Sequence, residues 1–501
     1  MVLFCYIVRN QDEFHRKDIC VREGDKFEIP IKNSSSAEPA KRSMWNELKN
    51  AVRGSEADYT QIPLSRAIFL LAVPMILELI MESTFAVVDI YFVSSLGPSA
   101  VATIGLTETY LFLLYSVAMG LSTAVAAIVA RRIGEKNKEK AGMTAIQAIF
   151  IAIIASVPFA FAGIFYAKDL LLLMGADRWA LEYGYRFTQV MMGGNAVIML
   201  LFMINAIFRG AGDAAIAMRV LWLANGINIL LDPALILGLG PFPRMGIEGA
   251  AIATTTGRAI GVTAQLWMLF HGGKHIKVFS SYIKLNWEII SRIIRTSLGG
   301  IGQMIVAMTS WIFIMRILAE FGSQAVAGAT IALRIMMFTM MPASGMSNAV
   351  ATLVGQNLGA HKPERAERAV WIAGLWTMIF LIGVAVIYYL FSEPLVRIFS
   401  NDTGVVSIGG EWLRIVSYSY FVYAWWMVSV QAFNGAGDTA TPTKINLVFF
   451  WIIEIPLAYI LAESLEMNYT GVFWAIFIAE TSVGLFTLWL FTRGKWKKAV
   501  V

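Results

Sequence analysis

Twelve long apolar stretches constrain this chain more than any other feature of its 501-residue sequence. A bilayer core is about 30 Å thick, so a helix that spans it needs about 20 predominantly apolar residues. Stretches of this length predict spanning helices, and we expect an all-α membrane protein. The predicted helices, TM1 to TM12, cover residues 66–94, 101–127, 141–166, 184–208, 215–238, 247–270, 291–318, 325–354, 367–391, 409–433, 442–462 and 470–492.

The composition supports this class. The chain is 57% hydrophobic and 15% charged, whereas a soluble domain carries about 25% charged residues. Its net charge of +6 is small for this length, so we expect no nucleic-acid partner. The sequence contains no GxxxxGK[ST] motif, and we therefore expect no built-in ATPase and no ATP partner.

Lysine and arginine are concentrated in the even-numbered connections between the helices, which include RRIGEKNKEK and KPERAER. The segment after TM12 adds Arg493, Lys495, Lys497 and Lys498. Membrane proteins carry an excess of Lys and Arg in their cytoplasmic loops. The pattern predicts a multi-pass protein of the cell inner (plasma) membrane with both termini in the cytoplasm.

Residues 1–65 form a predicted cytoplasmic tail before TM1. Residues 1–43 are polar and mixed in charge, and they lack the apolar core of a signal peptide. We interpret them either as a disordered extension or as upstream sequence from a misplaced start codon, with an amphipathic lead-in to TM1 beginning at Met44. Cys5 and Cys20 lie in this tail, where they can form one disulfide but no disulfide framework.

All four histidines lie in the tail or in loops, at His15, His271, His275 and His361. No predicted span contains His or Cys, which argues against a buried His-based metal site and against a membrane-embedded hydrolase. A carboxylate pair alone can still serve such an enzyme, so that alternative stays open beside our expectation of no enzymatic activity. If protons cross this protein, carboxylates must carry them, and we expect no cofactor other than a coupling ion.

The second half of the chain repeats the first at an offset of 225 residues. GAGD occurs at 210–213 and 435–438, and GLSTAVAAIVARRIG (120–134) aligns without a gap to GMSNAVATLVGQNLG (345–359). Six helices per half predict a parallel repeat, with two pseudo-symmetric six-helix bundles and a substrate path between them. We define the N-lobe as residues 66–275 (TM1–6) and the C-lobe as 276–501 (TM7–12). We interpret the GAGD turns as structural, because Gly permits a tight reversal and Asp can cap the next helix.

Several motifs, taken in order, resemble those of one transporter family. They are PMILELIMESTFAVVDIYFVSSLG, FRGAGD followed by NGINILLDP, GIEGAAIATTTG, ALRIMMFTMMPASGMSNAVATLVGQNLGA and FNGAGDTATPT. Over roughly residues 60–495 the chain resembles the MATE (multidrug and toxic compound extrusion) transporters, most of all their prokaryotic DinF-like branch. The resemblance implies two bundles around a central cavity, and efflux of bulky, cationic or amphipathic compounds in exchange for H⁺ or Na⁺.

The resemblance also implies a cation-coupling site in the N-lobe. Counting about 1.5 Å per residue along TM1, TM5 and TM6 places its members near one level of the bundle. Two carboxylates, an amide and a hydroxyl suit Na⁺, or the carboxylates can share one proton because close like charges repel. In the structural alternative, the TM5 aspartate satisfies a bend at Pro233 and the TM1 aspartate is an interhelical hydrogen-bonder. The site residues are Asp89, Asn228, Asp232 and Thr254.

Two further TM1 acids, Glu78 and Glu82, lie on one helical stripe with Asp89. An acid at the bilayer centre costs roughly 2.5–3.5 kcal/mol on insertion scales, so we expect the stripe to face a cavity. There Glu82 would attract a cationic substrate or relay protons towards Asp89, while Glu78 shares that role or is simply solvated. The repeat maps Glu82 onto Ala307, where one branch of the family has a coupling glutamate, so we expect coupling in the N-lobe.

Ionisable residues also lie inside spans of the second half. Such residues usually pair, so we expect a structural ion pair of Arg334 with Glu454 or Glu480, and we interpret Glu108 and Arg258 in the same way. Aromatic residues on TM10 can form a wall for flat cationic compounds or anchor the helix at the membrane interface. These are Tyr418, Tyr420, Tyr423, Trp425 and Trp426.

The sequence therefore predicts a secondary active antiporter that alternates access by rocking its lobes. The alternative is a flippase of related architecture for lipid or lipid-linked substrates, which a lysine- or arginine-rich cavity would favour. A channel is a further alternative, but the repeat and the proline in TM5 favour alternating access. We expect a small-molecule substrate, membrane lipid as surroundings, and a monomer.

Overall fold

The computed structural model describes residues 44–271, 276, 278–279, 282 and 284–499. In these ranges the regular structure is helical, without strands, which confirms the predicted fold class. The predictions for residues 1–43, including Cys5 and Cys20, lie outside the described residues. An amphipathic helix, α1 (Met44–Arg53), precedes TM1 as predicted.

The twelve predicted spans all correspond to helices, and most extend beyond the predicted windows. TM6 and TM7 are separated by the segment that the structure describes only in part. The helices are TM1 Leu64–Ser94, TM2 Pro98–Gly134, TM3 Lys138–Leu173, TM4 Ala180–Ala211, TM5 Ala214–Leu237, TM6 Ile247–His271, TM7 Trp287–Ala319, TM8 Ser323–Gly359, TM9 Pro363–Arg397, TM10 Thr403–Ser417 with Tyr420–Ala436, TM11 Ala440–Ser464 and TM12 Asn468–Thr492.

Ten of these helices are long and apolar enough to cross a membrane on length and composition alone, within the part of the chain that is described. TM6 and TM10 are the other two. TM6 is less apolar because it contains a run of threonines, Arg258 and Gln265. TM10 is divided into two shorter helices at Tyr418–Ser419.

Unusual backbone conformations recur at the 225-residue offset, which confirms the internal repeat. TM2 and TM8 both begin after a glycine with positive φ, Gly97 (102°) and Gly322 (96°). The kinks in TM3 and TM9 fall at Tyr166 and Phe391, whose φ angles are −122° and −126°. The break in TM10 at Ser419 likewise has its counterpart at Gly194 in TM4.

The GAGD turns have the predicted structural role, with one exception. Gly212 and Gly437 both adopt left-handed conformations, with φ of 93° and 88°, and end TM4 and TM10. Asp438 accepts hydrogen bonds from the backbone N–H of Thr441 (3.1 Å) and from its hydroxyl (2.6 Å). The side chain of Asp213 does not cap TM5. We call this end of the bundle the GAGD end.

The two lobes are in tight contact at the GAGD end. A Cβ atom on Gly134 of TM2 would lie 2.0 Å from the backbone oxygen of Gln356 on TM8. On TM8, a Cβ on Gly359 would lie 2.1 Å from the backbone oxygen of Arg131. Because real Cβ atoms do not approach backbone so closely, only glycine at these positions permits the two helices to meet.

Hydrogen bonds between the lobes reinforce this contact. On TM8, Thr352 Oγ1 donates to the backbone oxygen of Arg209 (3.1 Å), and Gln356 Nε2 donates to that of Gly210 (3.0 Å). Nearer the middle of the bundle, Ser83 Oγ donates to Met341 Sδ (2.7 Å). Beyond that pair, towards the opposite end, the described residues form no hydrogen bond between the lobes. The structure is therefore closed at the GAGD end.

Candidate functional site

The four predicted cation-site residues come together where TM5 packs between TM1 and TM6. Asn228 and Asp232 are four residues apart on TM5 and thus share one helix face. Asn228 Nδ2 donates to Thr254 Oγ1 on TM6 (2.9 Å). Asp89 on TM1 lies close enough to Asp232 for their carboxylates to repel each other. The depth counted along each helix thus predicted the meeting of these residues.

Four oxygen atoms of this group are buried and have no hydrogen-bond partner among the described residues. They are Oδ1 of Asp89, Oδ1 of Asn228 and both carboxylate oxygens of Asp232. The Asp232 side chain is fully buried. A buried acceptor without a donor costs about 1–3 kcal/mol, and more when it is charged. These oxygens therefore lack hydrogen-bond donors among the described residues, and the all-oxygen character of the group fits either a proton or a hard cation.

The other two TM1 acids do not stand free in water. Glu78 is 3% exposed, and it pairs with Arg209 of TM4 and accepts from Asn205 Nδ2 (3.3 Å). The predicted solvation of Glu78, and its place on a cavity wall, are therefore wrong. The arrangement is instead that of a buried ion pair, which holds TM1 against TM4.

Glu82 is partly exposed and also has an arginine nearby. Asn225 Nδ2 donates to Glu82 Oε2 (2.9 Å), and Arg258 Nη2 lies 3.8 Å from Glu82 Oε1. Arg258 also donates to Tyr115 OH (3.2 Å) and interacts electrostatically with Asp89. The buried Arg258 guanidinium therefore lies between the Glu82 and Asp89 carboxylates. Arg258 thus connects two of the three TM1 acids electrostatically, Glu82 and Asp89.

A cavity of about 300 Å³ lies between the lobes. TM2 and TM4 line it from the N-lobe, and TM7, TM8, TM10 and TM11 line it from the C-lobe. Arg209 is the one charged residue among the described residues of its wall, and neither Glu78 nor Glu82 lines it. Of the TM10 aromatic residues, only Trp426 does so. The predicted aromatic wall and acidic lining are therefore absent from this cavity.

Two segments of the chain, residues 74–234 and 300–460, match the MatE family model, one in each lobe. The chain belongs to the MatE family. A probable multidrug resistance protein NorM of Thermotoga maritima is 27% identical to it over 438 residues, 86% of this chain and 93% of the relative. A FAD transporter of Shewanella oneidensis is 26% identical over 399 residues, 79% of this chain and 88% of the relative.

The fold of this MatE chain is also that of solved transporters. An outward-facing conformation of a multidrug resistance MATE family transporter of the MOP superfamily matches with a TM-score of 0.82 and 24% identity, over 89% of this chain and 99% of that one. The predicted family and the multi-pass membrane character are confirmed. Its place in the DinF-like branch stays a prediction.

The lobes of this MatE protein differ in charge at equivalent positions. The offset of 225 maps Glu78 onto Gln303 and Arg209 onto Asn434. Gln303 Nε2 donates to Asn434 Oδ1 (3.0 Å). The same contact is therefore an ion pair in the N-lobe and an amide pair in the C-lobe. At this pair of positions, charge is therefore present only in the lobe that contains Asp89 and Asp232.

The predicted ion pair of Arg334 with a C-lobe glutamate does not form. Arg334 is exposed, and the acid it interacts with electrostatically is Glu108 of TM2. Glu480 Oε2 accepts from Ser419 Oγ (2.7 Å), and Glu454 lies near Glu480. TM8 faces the N-lobe at the level of Arg334, and sequence spacing within one helix does not reveal which neighbour it faces.

Sequence reasoning missed several partners in the N-lobe of this MatE chain. Arg209 was visible only as part of FRGAGD, and Tyr115 gave no signal. Asn225 could have been found, because it lies three residues before Asn228 and therefore on the same face of TM5. Arg258 was noticed but grouped with structural pairs, although it lies between Glu82 and Asp89.

Proposed function

We propose that this protein is a secondary active antiporter that exports a bulky amphipathic small molecule in exchange for H⁺ or Na⁺. The observation that carries the proposal is the set of four buried oxygens without partners, on Asp89, Asn228 and Asp232. An ion that binds there satisfies acceptors that the protein itself leaves open. Thr254 holds Asn228 in place through its 2.9 Å hydrogen bond.

Either coupling ion fits these residues. A proton on Asp232 or Asp89 creates a donor and removes the repulsion between the two carboxylates. Na⁺ would instead be held by the Asp89, Asn228 and Asp232 oxygens, a donor set of the type that hard cations prefer. The ion is cargo in both cases, and the chain's task is to bind it at one stage of the cycle and release it at another.

Binding can drive transport only if it favours one conformation over the other. The positive-inside pattern makes the GAGD end cytoplasmic, so the closed contact between Gly134 and Gln356 corresponds to an outward-facing state. TM1 contributes Asp89 to the ion site and packs through Ile76 against Gly345 of the C-lobe. We infer that neutralising Asp89 and Asp232 shifts TM1 against TM8 and so favours the return to the inward-facing state.

The flippase alternative has little support from the cavity. A lysine- or arginine-rich wall would favour it, whereas Arg209 is the one basic side chain that lines the cavity, and it is paired with Glu78. We also propose the plasma membrane as location, cytoplasmic termini, and action as a monomer. The relatives named above, a probable multidrug resistance protein and a FAD transporter, support transport of small molecules.

Transport by proteoliposomes tests the proposal. Efflux of two fluorescent tricyclic probes, cationic acriflavine and neutral lumiflavin, is driven by a pH gradient alone or a Na⁺ gradient alone. We expect one gradient to drive efflux of at least one probe in the wild type and none in Asp232→Asn. Glu454→Gln, a buried C-lobe acid, is the matched control and should retain transport. Efflux that survives in Asp232→Asn refutes the N-lobe site. Absence of efflux under both gradients would instead favour a lipid substrate.

A further inference from the structure

The wall of the inter-lobe cavity is largely apolar, and its polar groups are almost all uncharged. Five amide side chains line it, and the one charged residue among the described wall residues, Arg209, is already paired with Glu78. A cation that leaves water for this cavity finds no carboxylate in the wall to compensate for its lost hydration, which is costly. The amides are Gln303, Asn348, Gln431, Asn434 and Asn446.

Four residues of the cavity wall have a buried polar atom with no hydrogen-bond partner among the described residues. Three are donors or can donate, namely Ser122 Oγ, Arg209 Nε and Trp426 Nε1, and one is an acceptor, Asn446 Oδ1. Asn446 itself is only 5% exposed, so its amide cannot turn to bulk water. The wall therefore contains both donors and an acceptor whose hydrogen bonds are not made within the described part of the protein.

The other amides are held in fixed orientations. Asn434 Nδ2 donates to Gln431 Oε1 (3.3 Å), and Gln431 Nε2 donates to Asn348 Oδ1 (3.0 Å). Together with the Gln303–Asn434 bond, these form a chain across TM7, TM10 and TM8. A chain of this kind keeps its remaining N–H and C=O groups ready for a ligand without further ordering cost.

Aromatic and thioether groups complete the wall. Trp426 from the C-lobe and Phe202 from the N-lobe both line the cavity, as do Met119, Met304 and Met427. The Trp426 ring packs against Tyr423, with centroids 4.9 Å apart, which fixes its plane. Aromatic faces favour flat ligands, and methionines adapt to their outline.

We propose that this cavity binds a neutral, flat nitrogen heterocycle with donors and acceptors along its edge. The inference rests on the proposed export function and names its substrate class. Amide side chains match the lactam and imide edges of such rings, because each offers an N–H beside a C=O. Organic cations are then poor ligands of this site, whereas an acidic wall would have favoured them.

Binding to the purified full-length protein in detergent tests the proposal by fluorescence anisotropy, with no ion gradient present. Lumiflavin and acriflavine are both flat tricycles, but only acriflavine carries a permanent positive charge. We expect lumiflavin to bind about tenfold more tightly than acriflavine. Trp426→Phe, which keeps an aromatic ring and removes the N–H, should weaken lumiflavin about fivefold to tenfold, as should Asn446→Leu.

Trp425→Phe is the matched control, because the Trp425 N–H bonds to Met378 Sδ (3.3 Å) and the residue does not line the cavity. It should leave lumiflavin binding unchanged. Asn446→Asp adds a carboxylate at the unsatisfied acceptor position and should reverse the preference, so that acriflavine binds more tightly than lumiflavin. Size-exclusion profiles show which variants are folded, and Trp426→Phe keeps the test decisive if Asn446 variants do not fold.

Three results would overturn the proposal. One is tighter binding of acriflavine than of lumiflavin to the wild type. Another is lumiflavin binding that Trp426→Phe does not weaken, and the last is no lumiflavin binding up to about 1 mM. Because no gradient is used, binding can succeed while coupling at Asp232 fails, and coupled export of acriflavine alone would refute this substrate class and leave the antiporter intact.

Discussion

Replacing the ion pair of the N-lobe by the amide pair that the C-lobe has at the equivalent positions tests how this fold tolerates buried charge. Glu78 and Arg209 occupy the positions that Gln303 and Asn434 occupy in the other lobe. The single variants Glu78→Gln and Arg209→Asn each leave one charge without its partner. The double variant recreates in the N-lobe the neutral pair that the C-lobe already contains.

The magnitudes follow from the burial of the two side chains. Removing one partner of a buried pair costs about 3–5 kcal/mol. The Glu78 side chain is 4% exposed, so Arg209→Asn should show that full cost. The Arg209 side chain is 29% exposed and borders the cavity, so Glu78→Gln should cost less, about 1–3 kcal/mol. The double variant should lie within about 1 kcal/mol of the wild type.

Thermal unfolding of the four proteins in one detergent, at one scan rate, measures this cycle. For a lobe of this size about 1 kcal/mol corresponds to 2–4 °C in Tm, so Arg209→Asn should lose roughly 10 °C and Glu78→Gln roughly 5 °C. The double variant should recover to within about 3 °C of the wild type. A double variant as unstable as Arg209→Asn would refute the reasoning, because the loss would then not come from an unpaired charge.

Two further predictions concern other parts of the fold. Gly134→Ala should force the lobes apart at the GAGD end, since its Cβ would lie 2.0 Å from the Gln356 backbone oxygen, and should therefore lower the Tm. Gly105→Ala on the same helix meets nothing within 4 Å and should not lower the Tm; a Gly134→Ala variant as stable as Gly105→Ala would contradict the closed contact. The backbone N–H of Val405 donates to Asp402 and, with Gln324 and Gly404, holds the pKa of that carboxyl below its usual range. The stabilising effect of the ionised Asp402 carboxylate is therefore present above the unfolded pKa and is lost as pH falls through the lower folded pKa. The Tm difference between wild type and Asp402→Ala should thus shrink below about pH 4. A difference that grows at low pH would contradict this role of Asp402.

The repeat explains why so much of the fold was predictable. The 225-residue offset in the sequence corresponds to matched kinks at Tyr166 and Phe391, because the two halves share one fold even where their local sequences differ. Counting residues along TM1 and TM5 predicted that Asp89 and Asp232 lie at one level, since the rise per residue is constant along a helix. The offset also maps Glu78 onto Gln303, so the charge difference between the lobes was readable from the sequence.

The sequence did not predict which neighbouring helix each buried side chain faces. Arg334 was expected to pair within the C-lobe, yet it is exposed, and the acid that it interacts with electrostatically is Glu108 of TM2. Glu78 was expected at a cavity, yet its partner Arg209 lines the cavity and Glu78 itself does not. Rotation of a helix about its axis depends on all the helices that pack against it, and no single stretch of sequence contains that information.

Direct measurement of ion binding shows whether the N-lobe oxygens hold the coupling ion. Purified protein without substrate is assayed for binding of radioactive Na⁺ and, in a separate titration, for proton uptake with a pH indicator. We expect binding of one of the two ions to be lost in Asp232→Asn and retained in Glu454→Gln. Loss in Glu454→Gln with retention in Asp232→Asn would contradict it and place the coupling ion in the C-lobe.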